Sequence, residues 1–174
     1  MSRTLASLAV FFLLMPVGAS AVTIDLAGVL DGSQANAGAG TGSTGTGSVS
    51  ITLDDQTLEM TWSASFSGLV GTYTVAHFHG PALPNQNAGV ALGVSFTLSP
   101  DLHSGTGGGT VTLSASQAAD LAAGLWYLNV HSSVHGGGEL RANVSVVPEP
   151  ATALLFGAGL IGIASARRRR SAFR

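Results

Sequence analysis

Residues 57–66 alternate without a break. Leu58, Met60, Trp62, Ala64 and Phe66 fall on one side, and Thr57, Glu59, Thr61, Ser63 and Ser65 on the other. A period of two marks a strand with one wet face. Asp54-Asp55-Gln56 ahead of it is turn chemistry, so 47–53 and 57–66 are predicted to form a hairpin. Further strands are predicted over 22–30, 73–79, 90–98, 109–113, 125–131 and 139–146. Residues 114–123 alone have a helical pattern, with Ser114 as N-cap and Gly124 as terminator. About eight short strands with Gly-rich turns predict an all-β fold: an antiparallel β-sandwich or Greek-key-like barrel with one short helix. The Gly/Ser/Thr stretch 38–48 reads as a mobile loop entering a strand, and 105–109 as a loop leading into another. Neither has the Lys and following helix of a phosphate loop.

The same alternation sorts the polar residues. In 73–79, Ala76 and Phe78 share one face, and Val75, His77 and His79 the other. In 125–131, Trp126, Leu128 and Val130 oppose Tyr127, Asn129 and His131. In 139–146, Leu140, Ala142 and Val144 oppose Glu139, Arg141 and Asn143. If these strands are neighbours, His77, His79, His131 and Glu139 meet on the outer face of the sheet, and His135 in the Gly-rich turn can join them. Two His spaced two apart on a strand aim both imidazoles the same way, which begins a Zn or Cu site. The competing reading has these groups hydrogen-bonding one another across strands and to the Gly-rich turns. Glu139 lies near Arg141, which would favour its charged form. His103 sits apart and reads as a solvated loop residue.

The pattern fails at both ends of the chain. Arg3, the apolar run 5–17 and Ala19-Ser20-Ala21 have the order of a secretory signal peptide cleaved after Ala21. At the other end come Val147-Pro148-Glu149-Pro150, an apolar or small stretch over 151–166, and Arg167, Arg168, Arg169 and Arg170. A helix over 151–166 spans about 24 Å, slightly less than the roughly 30 Å of a hydrocarbon core. Snorkelling arginines make up the difference and hold that end cytoplasmic. The expected organisation is therefore 1–21 signal peptide, 22–147 domain and 148–174 tail with a C-terminal hydrophobic helix.

Removing the ends changes the charge. The whole chain is −2, but residues 22–147 hold eight carboxylates (Asp25, Asp31, Asp54, Asp55, Glu59, Asp101, Asp120 and Glu139) against one fixed cation, Arg141. A domain of net −7 with one arginine does not neutralise a phosphate backbone, so nucleic acid is excluded as a partner. With no cysteine, the domain holds itself without disulfides, and thiol chemistry is excluded.

The tail, with Pro148, Glu149 and Pro150, then the apolar stretch and the arginine cluster, resembles the PEP-CTERM sorting signal of Gram-negative bacteria. That resemblance implies transient handling by an exosortase and the secretion machinery, membrane contact through the C-terminal helix before processing, and residence in the cell envelope or outside the cell, often alongside exopolysaccharide. The domain carries Ala76-His77-Phe78-His79-Gly80-Pro81, Asn87-Ala88-Gly89-Val90, the run from Gly124 to His131, and Gly137-Gly138-Glu139-Leu140-Arg141. In that order these resemble the CHRD domain, named from chordin, over about residues 24–146. The chain departs from the family pattern at Phe78, where Ile is common, and at Ala142, where Gly is common. Residues 31–36 also lack the usual G-x-x-E-V-P-P. The family implies an extracellular β-sandwich.

Two functions follow as expectations. The first is a non-catalytic envelope or matrix protein that binds exopolysaccharide, other matrix proteins or itself. The chain has no nucleophile-elbow motif and no identifiable carboxylate pair. The second is a His-ligated Zn or Cu protein, in the extreme a metalloenzyme, since an HxH strand followed by later histidines is similar to copper–zinc superoxide dismutases. The chain lacks that family's disulfide and a full ligand set with a bridging His.

Overall fold

The computed structural model describes residues 22–148. The predicted signal peptide and C-terminal hydrophobic helix lie outside the described residues. Ten strands follow in chain order: β1 (Thr23–Asp31), β2 (Thr46–Asp54), β3 (Glu59–Ser67), β4 (Tyr73–His79), β5 (Val90–Val94), β6 (Thr97–Leu98), β7 (Gly105–Thr112), β8 (Tyr127–Ser132), β9 (Leu140–Asn143) and β10 (Ser145–Val146). One helix, α1 (Ala115–Ala122), lies between β7 and β8, and a short 3-10 turn, Asn36–Gly38, follows β1.

All pairings are antiparallel in a single sheet of order β5-β4-β8-β9-β1-β2-β3-β7-β6, with β10 also on β1. The two ends of that order, β5 and β6, are separated in the chain only by Ser95 and Phe96. The sheet therefore curls until its edges approach, and the expected all-β, barrel-like fold is what forms. Phe96 packs at this seam against Phe66 at 5.2 Å, Trp62 at 6.0 Å and Tyr73 at 6.1 Å between ring centroids. The inside is one apolar core: Leu26 and Leu30 of β1, Val49, Ile51 and Leu53 of β2, the inward residues of β3, and Phe78, Trp126, Leu128, Val130 and Leu140.

The hairpin forms as the alternation predicts. Residues of β3 are exposed and buried in strict turn. The strand starts later than expected because Leu58, at φ +58°, belongs to the turn. There the Asp54 carboxylate accepts from the Gln56 and Thr57 amides at 2.9 and 2.8 Å. The helix also forms where predicted. Ser114 and Gln117 cap each other reciprocally, while Ala118 and Leu121 are buried in the core.

One expectation is corrected. Residues 105–109 are strand, paired with β3 from Phe66↔Gly105 to Trp62↔Gly109. Aromatic packing explains it. The inward positions of β7 opposite Phe66, Ala64 and Trp62 are Gly105, Gly107 and Gly109. A Cβ on Gly107 would stand 2.7 Å from the Ser95 carbonyl and 3.1 Å from the Phe96 ring. Glycine in this strand is room for rings, not a loop signal.

Candidate functional site

Two adjacent strands near one end of the sheet order, β4 and β8, bring the histidines together. The register of β4 against β8 sets His79 opposite Tyr127, His77 opposite Asn129 and Val75 opposite His131. His77, His79 and His131 thus stand on the same face of adjacent strands. Their ring centroids are 5.6 Å (His77–His79), 5.3 Å (His77–His131) and 6.0 Å (His79–His131) apart. One ring nitrogen from each lies within 4.8 Å of the others.

None of the three bonds another. His79 Nδ1 meets the Ala88 carbonyl at 3.0 Å, and His131 Nδ1 meets the Gly136 carbonyl at 2.9 Å. A carbonyl only accepts, so both Nδ1 atoms donate, and in the neutral rings Nε2 keeps the lone pair. Those two Nε2 atoms are buried without a hydrogen-bond partner, and so is His77 Nδ1. The competing sequence reading is therefore half right: two rings are tied to backbone turns, but no bond links ring to ring. Burial first, and then the neighbouring His131 ring, hold His77 below the ordinary imidazole pKa. Burial also leads in lowering His79, partly opposed by its bond to Ala88 and reinforced by His131 and His77. Both rings favour the neutral, lone-pair-bearing form.

The face that carries them is the outer one of the sheet, turned away from the apolar core, but it is covered and not open to water. Tyr127, Asn129 and Arg141 are all buried. Residues 80–89 fold over them and supply the partners. The Ala88 amide donates to the Tyr127 hydroxyl at 3.1 Å. Arg141 donates to the Gln86 carbonyl at 2.8 Å, to the Leu83 carbonyl at 3.4 Å, to Asn87 Oδ1 at 3.3 Å and, along its own strand, to Asn143 Oδ1 at 3.0 Å. β8 is the middle strand, so the Tyr127 ring stacks on His79 from one neighbour (5.0 Å, 5° between planes) and holds the Arg141 guanidinium from the other at 3.5 Å. Leu83, Gln86 and Ala88 contribute backbone groups only, so no side-chain pattern could have announced them; Asn87 sits in the sequence block already noted.

Glu139 and His135 do not join the cluster. The Glu139 carboxylate points the other way, accepting from the Val70 amide at 2.6 Å, the Ser43 hydroxyl at 2.7 Å and the Gly71 amide at 3.2 Å. Burial alone would raise its pKa, but the Ser132 and Ser43 hydroxyls and these two amides outweigh it and hold the carboxyl below its ordinary value. Those donors, not Arg141, keep it charged. His135 borders a separate cleft of about 310 Å³ with Asn36, Thr41 and Gly138. His103 is not simply solvated: it is half-buried, and its Nδ1 donates to the Leu69 carbonyl at 2.6 Å. Asn129 donates from Nδ2 to the Gly137 carbonyl at 3.1 Å and so fixes the turn whose Gly136 carbonyl orients His131. Gly138 has φ +117°, and a Cβ there would run into the Asn129 amide.

The sequence blocks singled out above converge here. His77 and His79 come from the first, Ala88 from the second, Tyr127, Asn129 and His131 from the third, and Gly138 and Arg141 from the fourth. A family model described as CHRD domain matches residues 26–144, and one described as PEP-CTERM protein-sorting motif matches residues 146–170. No curated protein and no solved structure matches the chain.

Proposed function

The chain belongs to the CHRD-domain family, and from that premise we propose that its domain is a non-catalytic binding or structural module of the extracellular matrix. The PEP-CTERM motif makes this an exported, exosortase-processed protein associated with the cell envelope. One observation carries the reading: the sorting motif begins where the sheet ends. β10 pairs with β1, the Val147 amide donates to the Asp25 carbonyl at 2.8 Å, and Ser145 to Pro148 are exposed. The Pro-Glu-Pro site thus follows directly on a finished domain, and processing there leaves the fold whole.

The acidic domain suits a matrix role in which it stays soluble and does not adhere to nucleic acid. Among the described residues no helix is long and apolar enough to cross a membrane, so anchoring before processing falls to residues 151–166, outside the described residues. The test compares the native host with a strain lacking its exosortase. Mass spectrometry of the protein in the matrix fraction should show a chain ending near the Pro-Glu-Pro motif, and the mutant strain should hold the full-length chain in the inner membrane. Full-length protein in the same fraction of both strains would contradict the sorting. A processed protein found wholly free in the medium would contradict the matrix assignment.

A further inference from the structure

We propose that His77, His79 and His131 form a mononuclear site for a borderline transition-metal cation, zinc or copper, with His79 Nε2, His131 Nε2 and His77 Nδ1 as donors. The inference goes beyond export and sorting, which stand whether or not metal binds.

Three observations support it. The three nitrogens that would ligate are the ring atoms left buried and unpartnered. A buried polar atom without a partner is costly, and a lone pair facing a cation is one way to satisfy it. Second, the opposite nitrogens of His79 and His131 donate to backbone carbonyls. That arrangement fixes tautomer and ring orientation and raises ligand basicity, as outer-shell bonds do around metal-ligating imidazoles. Third, the donors sit on two adjacent strands held by the Tyr127 stack and the Asn129-fixed turn, so little order has to be created on binding.

The donor set selects the metal. Three imidazoles without carboxylate or thiolate suit zinc and copper and do not suit calcium or magnesium, which take oxygen. Of the two, copper(II) should bind more tightly. On a tetrahedral ion with bonds of about 2.0–2.1 Å the nitrogens stand about 3.3 Å apart. The ring nitrogens, within 4.8 Å of one another here, would have to draw in to that spacing on binding. His77 and His131 are only half-buried, so solvent can reach the ion and take the remaining position.

The test uses the full-length chain in detergent, stripped with a chelator and then titrated with zinc sulfate or copper(II) chloride. Elemental analysis should find one ion per chain, and the melting temperature should rise with metal concentration. His77→Ala is the clean variant, since the buried Nδ1 of that ring has no hydrogen-bond partner to lose. It should keep the far-UV spectrum and melting temperature of the metal-free protein and lose affinity by about 100-fold or more. His135→Ala should bind as the wild type does. Cobalt(II) substitution, read by its visible absorption, checks the same site in folded protein. Folded wild type that takes up no stoichiometric metal would overturn the proposal. So would wild-type affinity in His77→Ala, or an equal loss in His135→Ala. Each of these outcomes leaves the sorting experiment unaffected.

Discussion

The sheet has two halves that treat their polar faces differently. On β2, β3 and β7 most outward residues are Ser and Thr, and they face water. Ser50 and Ser63 share a hydroxyl hydrogen bond of 2.8 Å, and Thr61 and Thr110 one of 3.1 Å, both exposed. On β4, β8 and β9 the corresponding positions hold His, Tyr, Asn and Arg, and most are buried under residues 80–89. The first half has a core on one side only. The second has an apolar core inside and a packed polar layer outside. A covered polar layer must satisfy its own donors and acceptors, and this one does so except at Asn129 Oδ1 and the three histidine nitrogens.

That contrast predicts a gradient of mutational cost. The largest effect is expected at Arg141, which is 1 % exposed. Arg141→Ala removes the donor to the Gln86 carbonyl and to the Asn87 and Asn143 side chains and leaves a void under the covering loop, at about 4 kcal/mol. Urea denaturation of wild type and variant measures it, and a loss below about 1 kcal/mol would mean the loop does not depend on the guanidinium. Gly138→Ala comes next at about 3 kcal/mol, because it combines a left-handed φ with a side chain driven into Asn129. It should also perturb the His131 ring resonances, since Asn129 and Gly136 belong to the same turn.

Glu139→Gln is expected to cost about 2 kcal/mol at neutral pH by weakening charge-assisted bonds to the Val70 and Gly71 amides. The sign with pH follows from its lowered pKa. The unfolded carboxyl titrates near its ordinary 4.5 and the folded one below that. The stabilisation is thus full above the ordinary value and disappears as pH falls through the folded value. Below that range wild type and Glu139→Gln should converge in urea midpoint; a gap that stays constant would assign the effect to shape and not to charge. The smallest effect belongs to the wet half. Ser50→Ala should change stability by less than about 0.5 kcal/mol in the same assay, and a cost comparable to that of Glu139→Gln would erase the distinction between the halves.

The sequence showed which side each residue takes but not what covers it. Period two placed Ala76, Phe78, Leu128 and Val130 inside and His77, His79 and His131 together outside, and the structure has them so. It read Glu139 into the cluster because alternation says nothing about a residue just before a strand, where the backbone turns. Glu139 precedes β9, and its carboxylate goes to Val70 and Gly71, far away in sequence. The strand over 105–109 was hidden for a related reason. Its glycines carry no hydrophobic pattern of their own, and the rings that explain them, Trp62, Phe66 and Phe96, lie on other segments. The covering loop was hidden because it acts through the carbonyls and amides of Leu83, Gln86 and Ala88, which every sequence has.

The most direct measurement on the proposal that the covered polar half holds a three-histidine metal site is a crystal structure of the zinc-loaded protein with an anomalous difference map at the zinc edge. The account predicts one peak per chain, at about 2.0–2.1 Å from His77 Nδ1, His79 Nε2 and His131 Nε2. A map with no peak there, or with its peak at His103 or His135, would contradict it.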